Sequence, residues 1–205
     1  LVGTYHYLGY QQATGAQLLY LSYFRQRPLS CLCFGLAAWK FGPTPATLAW
    51  CAALALLVSM SMIDLDTKYL PDDLTYPLLW GGLVAAALGW TIPLPAAVWG
   101  AVAGYVPLWL IASGFALLMK RQGMGGGDLK LLAALGAWLG WQGVLPVILI
   151  ASIVGLAVNV PRMLMGRHQR HTQYPFGPFL ALGGLVVIFV GADSLLAWAG
   201  ISIPG

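Results

Sequence analysis

Residues 45–63 read PATLAWCAALALLVSMSMI, an unbroken run without one charged side chain. A helix needs about 20 apolar residues, rising 1.5 Å each, to cross a hydrocarbon core of roughly 30 Å, and this run has that length. Upstream it is bounded by Lys40 and a Gly42-Pro43 turn, downstream by the polar stretch Asp64 to Asp73.

The rest of the chain repeats the theme. Of its 205 residues, 60% are hydrophobic and only 8% charged, with a mean hydropathy of +0.80. A soluble domain of this size carries far more charge. Further apolar segments are expected at Pro28–Trp39, a short helix, and at Leu74–Trp90 and Ala96–Met119, joined by a turn at Ile92 and Pro93. A Gly-rich loop, Gln122–Gly127, interrupts the pattern. Beyond it come a short helix, Asp128–Trp141, then Val144–Val160, a basic loop Arg162–Gln173, Tyr174–Val190 and a partial helix Leu195–Ile203. In lipid, backbone groups must be satisfied within each segment, so the expectation is an all-α, polytopic helical membrane protein with roughly six to eight membrane segments. Residues 1–205 form one transmembrane domain in this reading. Residues 1–24, rich in Tyr and Gln without a period, are an interfacial stretch, a loop or the remnant of a longer region. No signal-peptide pattern opens the chain, and a start at Leu1 rather than Met leads us to expect native sequence before it.

Charge placement gives the sidedness. Alternating the spans gathers Arg25, Arg27, Lys68, Lys120, Arg121, Lys130, Arg162, Arg167 and Arg170 on one side and leaves Lys40 opposite. The positive-inside rule makes the crowded side cytoplasmic. Cysteine labels at Lys120 and Arg167 should therefore react from the cytoplasm and one at Thr91 from the other face. Labelling of Thr91 and Lys120 from a single face would break the scheme. The formal charge of +4 is topological in this account, so no nucleic-acid partner is expected. Membrane lipids are, with Arg167, His168, Arg170 and His171 facing their headgroups. Cys31, Cys33 and Cys51 form no CxxC pair and lie apart from the histidines, so neither a metal site nor a disulfide framework is indicated, and all three are expected as small buried apolar residues.

The acidic residues are all Asp, and five of the six fall in two segments: Asp64, Asp66, Asp72 and Asp73, then Asp128. Charges confined this way in an apolar chain need a reason. Two expected spans separate the segments, and an even number of crossings returns Asp128 to the side of Asp64. Each carboxylate also has a plain structural reading. Asp128 follows Gly127 and is a natural N-cap, Asp64 marks an interface, Asp66 is solvated, and Asp72 or Asp73 caps a helix starting near Leu74.

Together, IDLDTKYLPDDLT at 63–75, GMGGGDLK at 123–130 and YPFGPFLALGG at 174–184 resemble the signatures of the type IV prepilin peptidase family, aspartyl membrane peptidases with a GxGD motif. The resemblance runs from about Trp39 onward. It implies removal of the basic leader from prepilins and pseudopilins, with Asp64 and Asp128 as the catalytic residues and no cofactor for peptide hydrolysis. Many bacterial members also methylate the new N-terminus with S-adenosylmethionine and carry paired CxxC motifs in a cytoplasmic loop. Those motifs are absent here, and Arg27 to Leu29 is not followed by the acidic residue the family pattern has, which puts methyl transfer in question. Signal peptide peptidases and presenilins share a GxGD aspartate, but PDDLT, and PFGP in place of PAL, point away from them. A proton- or cation-coupled transporter would hold its carboxylates near the bilayer midplane. A non-enzymatic assembly protein would tolerate Asn at either position.

Aspartyl chemistry explains why two such residues are needed. One carboxylate takes a proton from water while the other, protonated, donates to the scissile carbonyl. Two ionised carboxylates about 4 Å apart repel by roughly 4 kcal/mol at an effective dielectric near 20, so such a pair shares a proton. Gly125 and Gly127, lacking side chains, would let an extended substrate backbone approach Asp128. Lys130 is expected to orient Asp128 or the substrate, while Asp72 and Asp73 extend an acidic surface that attracts a Lys- or Arg-bearing leader. The oligomeric state and the particular pilin are not legible.

Overall fold

The computed structural model describes residues 15–119, 125–164, 175–198 and 200. These form seven helices in chain order: α1 Gly15–Phe41, α2 Pro45–Thr67, α3 Asp72–Ala87, α4 Leu94–Met119, α5 Gly126–Leu164, α6 Gly177–Val190 and α7 Ala192–Trp198. Among the described residues there is no strand, so the all-α membrane class read from the sequence holds.

The run that opened the analysis becomes α2, and its ends have local causes. Thr44 sits at the N-cap, its hydroxyl accepting from the Thr47 N–H, with Pro45 at the first helical position. At the other end Lys68 turns left-handed, φ 56°, and its N–H donates to the Asp64 carbonyl at 2.8 Å. That αL cap closes the helix one turn after Asp64 and sends the chain back through Leu70 and Pro71 into α3.

Among the described residues, fewer helices than the expected six to eight pass as spans by length and composition. Three described helices are long and apolar enough to cross a membrane, at Pro45–Thr67, Leu94–Leu118 and Gly126–Pro161, or four if α6 and α7, bent by 97°, are one broken span. The expectation of roughly six to eight treated each apolar run as a crossing. Yet α3 has 16 residues and α6 has 14, about 24 and 21 Å at 1.5 Å per residue, short of the roughly 30 Å core. The two helices expected between Asp128 and Val160 are joined in α5 and part at Gly140, whose φ of 73° breaks the helical path. Residues 15–24, part of the stretch expected to be interfacial or irregular, extend α1. Residues 1–14 lie outside the described residues.

α5 is the centre of the bundle, packing against α3, α4, α6 and α7, while α2 lies against α1, α3 and α6. Trp138 of α5 ties three of these together: its ring nitrogen donates to the Leu78 carbonyl of α3 at 2.8 Å, and its ring lies 4.9 Å from that of Trp50 on α2. α4, by contrast, has few fully buried residues. Its exposed Trp99, Ile111 and Leu117 suit a lipid-facing helix. Cys33 is buried as expected, but Cys31 is exposed on the outer face of α1, where lipid rather than protein would cover it.

α4 meets α5 through glycine backbones, as small residues permit between membrane helices. A Cβ added to Gly136 would stand 2.1 Å from the Gly100 carbonyl oxygen. Gly136→Ala should therefore destabilise the fold by about 3 kcal/mol or more, since backbone rather than a flexible side chain must yield. Gly114→Ala, which meets nothing within 4 Å, should be neutral or gain about 0.5–1 kcal/mol of helix propensity. Thermal unfolding in detergent reads both, and equal midpoints for the two variants would contradict the packing.

Candidate active site

Asp64 lies in the last turn of α2 and is 4% exposed. An Asp this deeply buried in an apolar bundle must be satisfied by a polar partner, and one is present. The Gly177 N–H, at the start of α6, donates to Asp64 Oδ2 at 3.0 Å. Helix N-termini offer unpaired N–H groups, so the Asp64 carboxylate occupies the position of an anion at the α6 terminus.

Asp128 stands in the first turn of α5. The N-cap role read for it does not hold: α5 starts two residues earlier, at Gly126, which moves Asp128 inside the helix. There it benefits from the positive end of the helix dipole. It is half-buried and lies close enough to Asp64 for the two carboxylates to repel each other.

One side chain connects the two acids. Leu70, 6% exposed, sits in the turn after α2. A Cβ on Gly127 would be 2.7 Å from Leu70 Cβ, and a Cβ on Gly177 would be 3.0 Å from Leu70 Cδ1. Leu70 is thus wedged between the residue preceding Asp128 and the residue that donates to Asp64. Gly125 lies beside Asp128 from the other direction, where a Cβ would be 3.5 Å from Oδ2.

The remaining sequence candidates divide. Lys130 and Asp72 find each other: Lys130 Nζ is 2.7 Å from both carboxylate oxygens of Asp72 and 5.2 Å above the Tyr76 ring. Neither Asp72 nor Asp73 caps α3, because the N-cap position falls on Pro71; both lie in the first turn. Asp66 and Asp73 are exposed. Gly123, Lys120, Arg121, Arg167, His168, Arg170 and His171 lie outside the described residues. Among the described residues no group of three His, Cys, Asp or Glu side chains could hold a metal ion.

Sequence reasoning missed Gly177 as a site residue. Its signal was the Phe176-Gly177-Pro178 step, quoted for its family resemblance, where a glycine and a proline open an apolar run.

The model of the type IV leader peptidase family matches residues 51–160, which include Asp64, Asp72, Asp128 and Lys130. The chain belongs to this family. It is 49% identical over 160 residues to a prepilin leader peptidase/N-methyltransferase of Burkholderia pseudomallei, covering 78% of this chain and 52% of that protein. It is 45% identical over 170 residues to one of Aeromonas salmonicida, covering 83% and 58%, and 46% identical over 163 residues to one of Neisseria gonorrhoeae, covering 79% and 55%. The chain thus spans about half the length of the curated relatives it matches. No solved structure matches it.

Proposed function

We propose that this chain is a membrane aspartyl endopeptidase that removes the basic leader from type IV prepilins or pseudopilins at the cytoplasmic face of the bacterial inner membrane. The observation that carries this reading is the meeting of Asp64 and Asp128, brought from two helices into electrostatic contact around Leu70. Both stand within a turn of a helix end, which favours a site at the membrane boundary over the midplane site of a transporter.

In the proposed reaction water is held between the two carboxylates. One takes its proton as the oxygen attacks the scissile carbonyl, while the other, protonated, donates to the carbonyl oxygen; as the C–N bond breaks, the first passes the water's proton to the leaving amine and the second takes a proton back from the gem-diol hydroxyl. The Gly177 N–H keeps the Asp64 carboxylate from rotating. Gly125 leaves the flank of Asp128 open to an extended backbone, whereas Gly127, expected to do the same, is covered by Leu70.

Methyl transfer appears in the relatives' names and would supply a methyl group from S-adenosylmethionine to the new N-terminus. A hollow between α4 and α5 is lined by Pro95, Ala96, Trp99, Ala103 and Trp141, which give the charged amino-acid end of S-adenosylmethionine no ionic partner. No methylation step is assigned to them. The test of the peptidase reading is cleavage of a prepilin-like peptide, with a Lys- or Arg-bearing leader, by the purified chain in detergent. Absence of cleavage at any lipid-to-detergent ratio would sink it.

A further inference from the structure

We propose that the Lys130–Asp72 ion pair is a clamp that sets the rotation of the first turn of α5, and with it the aim of Asp128. This rests on the peptidase reading above. Lys130 Nζ is equidistant, 2.7 Å, from both Asp72 oxygens. The pair joins the first residue of α3 to the first turns of α5, across 58 residues of sequence. Its two side chains are 31% and 43% exposed, and ion pairs so open to solvent add little to stability. Its contribution is geometric.

Helix geometry excludes the direct role. Residues two apart on a helix point about 200° away from each other, so Lys130 turned toward Asp72 and Tyr76 cannot also face the carboxylate of Asp128. It acts on Asp128 through the backbone between them. Leu70, two residues before Asp72, already touches Gly127 and Gly177. The wedge fixes how near the first turn of α5 comes to α2 and α6, and the clamp fixes how that turn is rotated. Lys130 and Asp72 are therefore positioning residues. A further consequence concerns the leader: with its carboxylate held by Lys130, Asp72 is spent as an attractor for Lys or Arg, and selection of basic leaders runs through other groups.

The experiment is a double-mutant cycle on the full chain in detergent, with wild type and Asp128→Asn as the upper and lower references. Asp72→Asn and Lys130→Met should each lower kcat by ~10-fold or more, since a displacement of about 1 Å can cost 10²-fold, with KM changed less than about twofold for basic and neutral leaders alike. The double variant should lose no more than either single, because both remove one contact. Thermal midpoints should stay close to wild type. Effects that multiply, or an unchanged kcat, would overturn the clamp, and so would a KM rise confined to basic leaders after Asp72→Asn, which would return Asp72 to substrate binding. A second arm needs no activity. Acylation of Lys130 by a water-soluble amine reagent, followed by mass spectrometry, should be several-fold faster in Asp72→Asn than in wild type. Equal rates would refute the clamp whatever the substrate. Failure of wild type to cleave, with that protection intact, would instead refute the peptidase reading.

Discussion

Asp64→Asn and Asp128→Asn should each lower leader cleavage by ~10³-fold or more, within the range that general acid–base catalysis supplies, while the protein inserts and folds as before. Asn matches Asp in volume, and its amide oxygen can still accept the Gly177 N–H that reaches Asp64 at 3.0 Å. What it cannot do is take a proton from water or hand one to a carbonyl. Because the two acids work as a unit, the double variant should be scarcely worse than either single. Asp66→Asn is the internal control. Asp66 follows Asp64 by two residues on the same helix and is exposed where Asp64 is buried, so its substitution should cost far less. Turnover of a prepilin-like peptide by each purified variant decides the matter. Robust cleavage by either single Asn variant removes the dyad, and a loss at Asp66 as deep as at Asp64 means that the carboxylate was misassigned.

How far the molecule could be read from its letters depended on whether the deciding contact was local. The start of α2 was legible because an uncharged run must be a helix in lipid, and residue 45 was placed correctly. Its end was not: the helix continues to Thr67 and stops on Lys68 in a left-handed conformation, a state that a lysine does not advertise. That added turn leaves Asp64 buried among its neighbours rather than at the helix end. The start of α5 failed for a similar reason. Gly125, Gly126 and Gly127 have poor helix propensity, yet two of them are helical because Leu70 packs against Gly127. That Asp64 and Asp128 come near each other was expected from the two motifs and the two apolar segments between them. The donor to Asp64 was not, since it is a backbone N–H 113 residues away. Nor was the partner of Lys130, since side chains 58 residues apart leave no periodic trace.

Outside the two acids, Gly177→Ala should cost catalysis most, through contact rather than backbone strain. Gly177 does not occupy the left-handed region, so an alanine there meets no positive-φ penalty. The methyl group is the difficulty. It would stand 2.7 Å from Asp64 Oδ2 and 3.3 Å from its Cγ, with Leu70 Cδ1 at 3.0 Å on another side. Leu70 cannot retreat, because its Cβ already lies where a Cβ on Gly127 would be 2.7 Å away. α6 cannot back off easily either, because it is seated against α5 so closely that a Cβ on Gly183 would be 2.7 Å from the Val147 carbonyl. The group free to move is the Asp64 carboxylate. A displacement of about 1 Å there should lower kcat by ~10²-fold, with the leader's KM nearly kept and a stability loss of about 1–3 kcal/mol. Gly125→Ala provides the contrast. Its Cβ would make ordinary contact, 3.5 Å, with Asp128 Oδ2, leaving that carboxylate in place while narrowing the flank open to substrate, so KM should rise more than kcat falls. If Gly177→Ala lost stability but kept its kcat per folded molecule, Asp64 would be a buried structural carboxylate and the reacting peptide bond would lie elsewhere.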